Sequence, residues 1–156
     1  MIDEVLSEIP VFQNLEKAQL YELNGWLTRS DFAVGAVILK EGDPSLGLYV
    51  LLKGEVDVFK KPHGREVHVA TLQAPSVLGE MGVLISEPRT AEVRALTPVT
   101  LGFLPVGLFE EKIAGNNILA LRIALNLGRI ACQRLRSTTR KLTELTEIHA
   151  HVSADV

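Results

Sequence analysis

In the stretch LGEMGVLISEPRTA, residues 78 to 91, an acid and a base are set into otherwise apolar or turn-forming sequence. Burying either Glu80 or Arg89 without a partner is costly, so the two invite a chemical reading. Gly79 lets the backbone approach closely, and Glu80 to Ile85 suits one or two turns of helix. The start of such a helix presents unpaired N–H groups that attract an anion. Arg89 adds a planar fork of donors fitted to phosphate, and Glu80 can accept a hydrogen bond from a sugar hydroxyl. On physics alone, the segment reads as a site for a phosphorylated sugar.

Three blocks of sequence must position these residues. Residues 1–28 predict short helices, with Phe12, Leu15, Leu20, Leu23 and Leu27 at roughly helical spacing and Asn14 as a weak cap. Residues 29–104 change texture. Short β-rich runs alternate with glycine-bearing turns at Gly35, Gly42, Gly47, Gly54 and Gly64. EVDVFK alternates cleanly, LYVLL reads as a buried strand, and LKGEV and KPHGRE read as hairpin turns. This spacing predicts a mainly β fold with flanking helices: a jelly-roll barrel, or double-stranded β-helix, with the Glu80/Arg89 segment near its end.

Residues 107–149 turn helical, with Asn116 or Asn117 as the cap of a long final helix. Leu121, Leu125, Gly128, Cys132, Leu135, Thr139 and Leu142 follow the 4-3 alternation of a coiled-coil seam. The first half of this helix, apolar almost all round, is expected to pack on the barrel. The second half needs another partner, and a second copy of the chain is the simplest. Between Arg122 and Thr143 the helix carries Arg122, Arg129, Arg134, Arg136, Arg140 and Lys141 and no acid, which reads first as a solvated basic face.

Composition narrows the function classes. The net charge of −3 asks for neither nucleic acid nor an anionic membrane. A single cysteine, Cys132, excludes an internal disulfide framework and reads as a small buried hydrophobe on the helix seam. No secretory signal or membrane-spanning run is evident, so a cytoplasmic location is expected. The four histidines are scattered, His149 and His151 lying outside the barrel, which argues against a metal enzyme. No serine–histidine–acid set or nucleophile elbow is present, so no enzymatic activity is expected.

The LGEMGVLISEPRTA segment closely resembles the phosphate-binding cassette (residues 78–91) of cyclic nucleotide-binding domains. GAVILKEGDPSLGLYVLLKGEVDVF resembles that family's glycine-marked strand pairs, IPVFQNL its helical entry, and RLRSTTRKL the long dimerisation helix of catabolite activator protein-like, Crp/Fnr-type sensors. The resemblance spans about residues 9 to 145, and residues 1–156 are expected to be one such domain. It implies that Arg89 binds the exocyclic phosphate and Glu80 the ribose 2′-hydroxyl. The main chain of Gly79, Met81 and Thr90 and the Thr90 hydroxyl would surround the phosphate. Thr138 and Thr139 match two hydroxyl residues that contact adenine, one from each subunit, which points to cAMP rather than cGMP. The expected protein is a cAMP sensor, homodimeric through its last helix. Only seven residues follow His149, too few for the helix-turn-helix that activator-type regulators carry, so direct sequence-specific DNA binding is not expected. Two other readings remain open: a ligand-free dimerisation or scaffold module with a relic cassette, and a transcription regulator acting through a separate DNA-binding partner.

Overall fold

The structure is a computed structural model and describes residues 2 to 154. Helices α1 (Ile2–Ser7) and α2 (Lys17–Trp26) flank a 3₁₀ turn at Pro10–Phe12. Leu6, Ile9, Phe12, Leu20 and Leu23 from this region are buried in one cluster. Asn14 is not the cap. It lies in the left-handed region at φ 62, which asparagine tolerates, and Glu16 holds the N-cap position instead. There the Glu16 N–H donates to Gln19 Oε1 at 2.9 Å, one half of a capping box.

Eight strands follow: β1 (Thr28–Phe32), β2 (Val37–Leu39), β3 (Gly47–Lys53), β4 (Glu55–Lys60), β5 (Val67–Gln73), β6 (Ser76–Leu78), β7 (Glu92–Ala95) and β8 (Val99–Pro105). They pair antiparallel into two four-stranded sheets, in the orders β1-β8-β3-β6 and β2-β7-β4-β5. Sheets in these orders, facing one another, form the expected jelly roll. Gly54 makes the β3–β4 turn at φ 92, where a Cβ would stand 2.3 Å from the Pro98 carbonyl oxygen; only glycine fits.

Strand β3 shows why LYVLL is apolar without alternation. Leu48, Val50 and Leu52 face a cluster shared with the helices, whereas Leu51 joins Val56, Leu78, Val93, Val99 and Leu101 in the barrel interior. Burial of each such side chain contributes about 1.5–3 kcal/mol. Pairing of Leu48 with Leu104 and Leu51 with Leu101 across β3 and β8 keeps both faces in register.

A short helix α3 (Glu80–Ile85) separates β6 from β7, and α4 (Val106–Ala114) leads into α5 (Ile118–Ala154). Asn117 caps α5, its Oδ1 accepting from the Ala120 N–H at 3.0 Å. Helix α5 has 37 residues and runs about 55 Å. Leu119, Ala120, Ile123 and Leu127 are buried, and Asn126 Nδ2 donates to the carbonyls of Val11 (3.0 Å) and Gln13 (2.9 Å), tying α5 to the 3₁₀ turn. The first half is not covered all round: Ile118, Leu121 and Leu125 stand exposed, as do Leu135 and Leu142 further on. Cys132, expected to be buried, is exposed on the same stripe of this single chain. Among the described residues no helix is long and apolar enough to cross a membrane.

Candidate ligand-binding site

Arg89 is drawn inside by the loops around it. Its own N–H donates to the Asp43 carbonyl and its carbonyl accepts from the Gly42 N–H, both at 2.8 Å. Ser45 Oγ donates to the Glu87 carbonyl, so the 43–47 loop and the 86–90 segment are stitched together. The Arg89 side chain then turns inward until the residue retains only 7% exposure. Its Nη2 donates to the Gly47 carbonyl at 2.8 Å and its Nη1 to the Gly79 carbonyl at 3.4 Å, while the Tyr49 ring lies 5.6 Å away. Burial lowers the guanidinium pKa from its ordinary value, opposed by Tyr49 and Glu80. The group remains a cation, since arginine does not give up its proton in proteins.

Gly79 makes room for this arrangement. It sits at φ 75, and a Cβ there would stand 1.7 Å from Arg89 Nη1. Gly82 is close-packed too: a Cβ would come within 2.4 Å of Ser45 Oγ. The glycines of GEMG therefore serve close approach, one to a guanidinium and one to a loop.

Two hollows lined by Gly79, Glu80 and Thr90 meet at Arg89. The smaller, about 190 Å³, is lined by cassette residues including Glu80, Gly82 and Thr90 together with Ser45. The larger, about 640 Å³, opens between the barrel and α5 and falls within the size range of small-molecule sites. Gly79, Glu80, Arg89 and Thr90 form its polar end, and Leu39, Val58, Leu72, Leu78 and Val93 form an aliphatic wall. Helix α5 closes it with Ile130, Gln133, Arg134 and Ser137. An anion carrying an apolar-faced body matches these walls.

Of the residues singled out in the sequence, Gly79, Glu80, Arg89 and Thr90 come together here. Met81 lies in the first turn of α3. Thr138 and Thr139 do not line the cavity; both are exposed on α5. The reason is helical geometry. Ile130, Gln133, Arg134 and Ser137 share one face at i, i+3, i+4 and i+7, and Thr138 is already about 100° further round. Sequence reasoning also assigned Arg134 to a solvated basic face. It instead donates through Nη1 to Glu80 Oε1, joining α5 to the cassette. Glu80 keeps only 13% side-chain exposure in this pair and Arg134 keeps 57%, so the arginine is the partner with freedom to leave. The absence of acids between Arg122 and Thr143 was the available signal that the arginines of this stretch must look elsewhere for a counterion.

Comparison with known proteins gives this geometry a family. The model of the cyclic nucleotide-binding domain matches residues 29–116, more than half of the chain, which therefore belongs to that family. A CRP-like cAMP-activated global transcriptional regulator of Mycobacterium tuberculosis is 30% identical over 146 residues, covering 92% of this chain and 63% of the relative. A cAMP-dependent protein kinase regulatory subunit of Emericella nidulans is 33% identical over 104 residues, covering 67% of this chain and 25% of the subunit. The crystal structure of the Thermus thermophilus catabolite activator protein superposes with a TM-score of 0.78 at 25% identity, covering 88% of this chain and 63% of that one. The chain thus spans less than two thirds of the length of the curated relatives it matches. These relatives are regulators by name rather than catalysts.

Proposed function

We propose that this chain is a non-enzymatic sensor that binds a cyclic nucleotide, with cAMP the favoured ligand, and transmits occupancy through α5. The observation that carries the reading is Arg89, a buried cation whose hydrogen bonds both go to main-chain carbonyls, at the polar end of a cavity with an aliphatic body. A buried charge of this kind wants an anion. The cyclic phosphate would sit against Arg89, Thr90 and the main chain of Gly79 and Met81. The ribose 2′-hydroxyl would donate to Glu80, whose carboxylate has lone pairs to spare beyond the one Arg134 takes.

Glu80 is then shared between ligand and helix. A nucleotide that changes how tightly Glu80 holds Arg134 biases the setting of α5, which is the differential contact an allosteric link requires. From the same subunit the base meets Gln133, Arg134 and Ser137. Contacts from Thr138 or Thr139 are reserved for an altered setting of α5 or for a second copy. Homodimerisation through the exposed stripe of α5 completes the proposal. Both cAMP-named relatives support cAMP over cGMP.

The test is displacement of a bound fluorescent cAMP analogue by cAMP and by cGMP. Displacement by cAMP at lower concentration than cGMP is expected. Equal potency would remove the base preference, and no binding of the analogue would favour the relic-cassette scaffold.

A further inference from the structure

Among the described residues, two buried side-chain polar atoms lack a hydrogen-bond partner: Arg89 Nε and Ser76 Oγ. Both residues line the same cavity. Buried polar groups are nearly always paired, so orphans gathered at one cavity point to a ligand that pairs them. The phosphate accounts for Arg89. Nothing in the cassette accounts for Ser76.

Ser76 opens β6 opposite Leu51 of β3, two residues before Leu78 and therefore on the same strand face. Leu51 and Leu78 both belong to the barrel interior. Close by, the cavity wall is aliphatic, built from Leu39, Val58, Leu72, Leu78 and Val93. A lone hydroxyl is a poor core element in such a wall, where alanine or valine would cost no buried polar atom. Its oxygen has almost no accessible surface as it stands, so it would reach a ligand in the cavity by turning toward it. A hydroxyl both donates and accepts, and rotation about χ1 re-aims it.

We propose that Ser76 is a specificity-determining residue of this site, its hydroxyl hydrogen-bonding the polar edge of a purine whose faces lie against the aliphatic wall. The inference rests on reading the cavity as a nucleotide site. A single polar atom in an aliphatic setting suits a flat heterocycle with a polar rim.

The experiment uses the full chain, wild type and Ser76→Ala, with three probes: cAMP, cGMP, and the 3′,5′-cyclic monophosphate of unsubstituted purine riboside. For whichever nucleotide the wild type binds best, Ser76→Ala should weaken affinity about three- to tenfold, the range of one neutral hydrogen bond. Preference among the three bases should narrow. The unfolding midpoint of the ligand-free protein should stay level or rise, because an unpaired buried hydroxyl has been removed. Ser76→Thr, which keeps the hydroxyl, should restore the preference. Equal weakening toward all three probes, unchanged ratios, or a lowered midpoint would overturn the role of Ser76 while leaving the nucleotide site standing. If the wild type binds none of the three, the nucleotide reading itself falls and the inference with it.

Discussion

Arg89 and Gly79 can be read only as a unit. The guanidinium occupies the space that a side chain at position 79 would fill, and the backbone there has a positive φ that disfavours other residues. Gly79→Ala should therefore do two separable things. Left-handed strain should cost about 1–3 kcal/mol of stability, measured by denaturant unfolding. Displacement of Arg89 should also weaken cyclic nucleotide binding at least about tenfold, the loss of one charge-assisted hydrogen bond. A variant with wild-type affinity would mean that Arg89 does not contact the ligand from the position described. Both residues were legible as a motif. Ser76 was not, because nothing about a serine after a proline signals an unpaired hydroxyl; that depends on what the opposite sheet fails to offer.

Helix α5 carries the proposed output. Its stripe leaves Leu121 at 43%, Leu125 at 54%, Leu135 at 68% and Leu142 at 59% exposure, more apolar surface than a lone helix should show to water. Arg122, Arg129 and Arg136 run along one flank at seven-residue spacing, and Ala124, Ala131 and Thr138 run along the other. In a parallel pair each arginine would lie over a small residue, with no like charge opposite. Leu135→Glu is expected to convert the proposed dimer to monomer in sedimentation velocity. Mild oxidation of the wild type should cross-link Cys132 to its counterpart, since parallel helices in register bring seam positions face to face. A monomeric wild type, or a dimer that resists cross-linking at Cys132, would rule out the parallel seam. The 4-3 alternation was visible in the sequence. Which residues of α5 face the cavity was not, since one residue of helical register turns a side chain by about 100°.

At the scale of the whole molecule, the two sheets and the helical layer meet at β3, and the cavity lies where the second sheet, the cassette and α5 converge. Much of this was readable: doubly apolar β3, the glycine-marked hairpins, the capped final helix. Less was readable where distant segments choose each other. The Glu80–Arg134 pair joins residues on elements that only the fold brings together, and Asn126 fastens α5 to a turn at the other end of the sequence. Such contacts make the cavity wall and the long helix parts of one arrangement, so filling the cavity and resetting the helix are proposed as one event. The most direct measurement is a calorimetric titration of the ligand-free full chain with cAMP, wild type beside Arg89→Ala. Saturable binding of about one cAMP per chain is expected, weakened at least about tenfold in the variant. Heats no greater than dilution for the wild type, or equal affinities for the two proteins, would contradict a nucleotide held by Arg89.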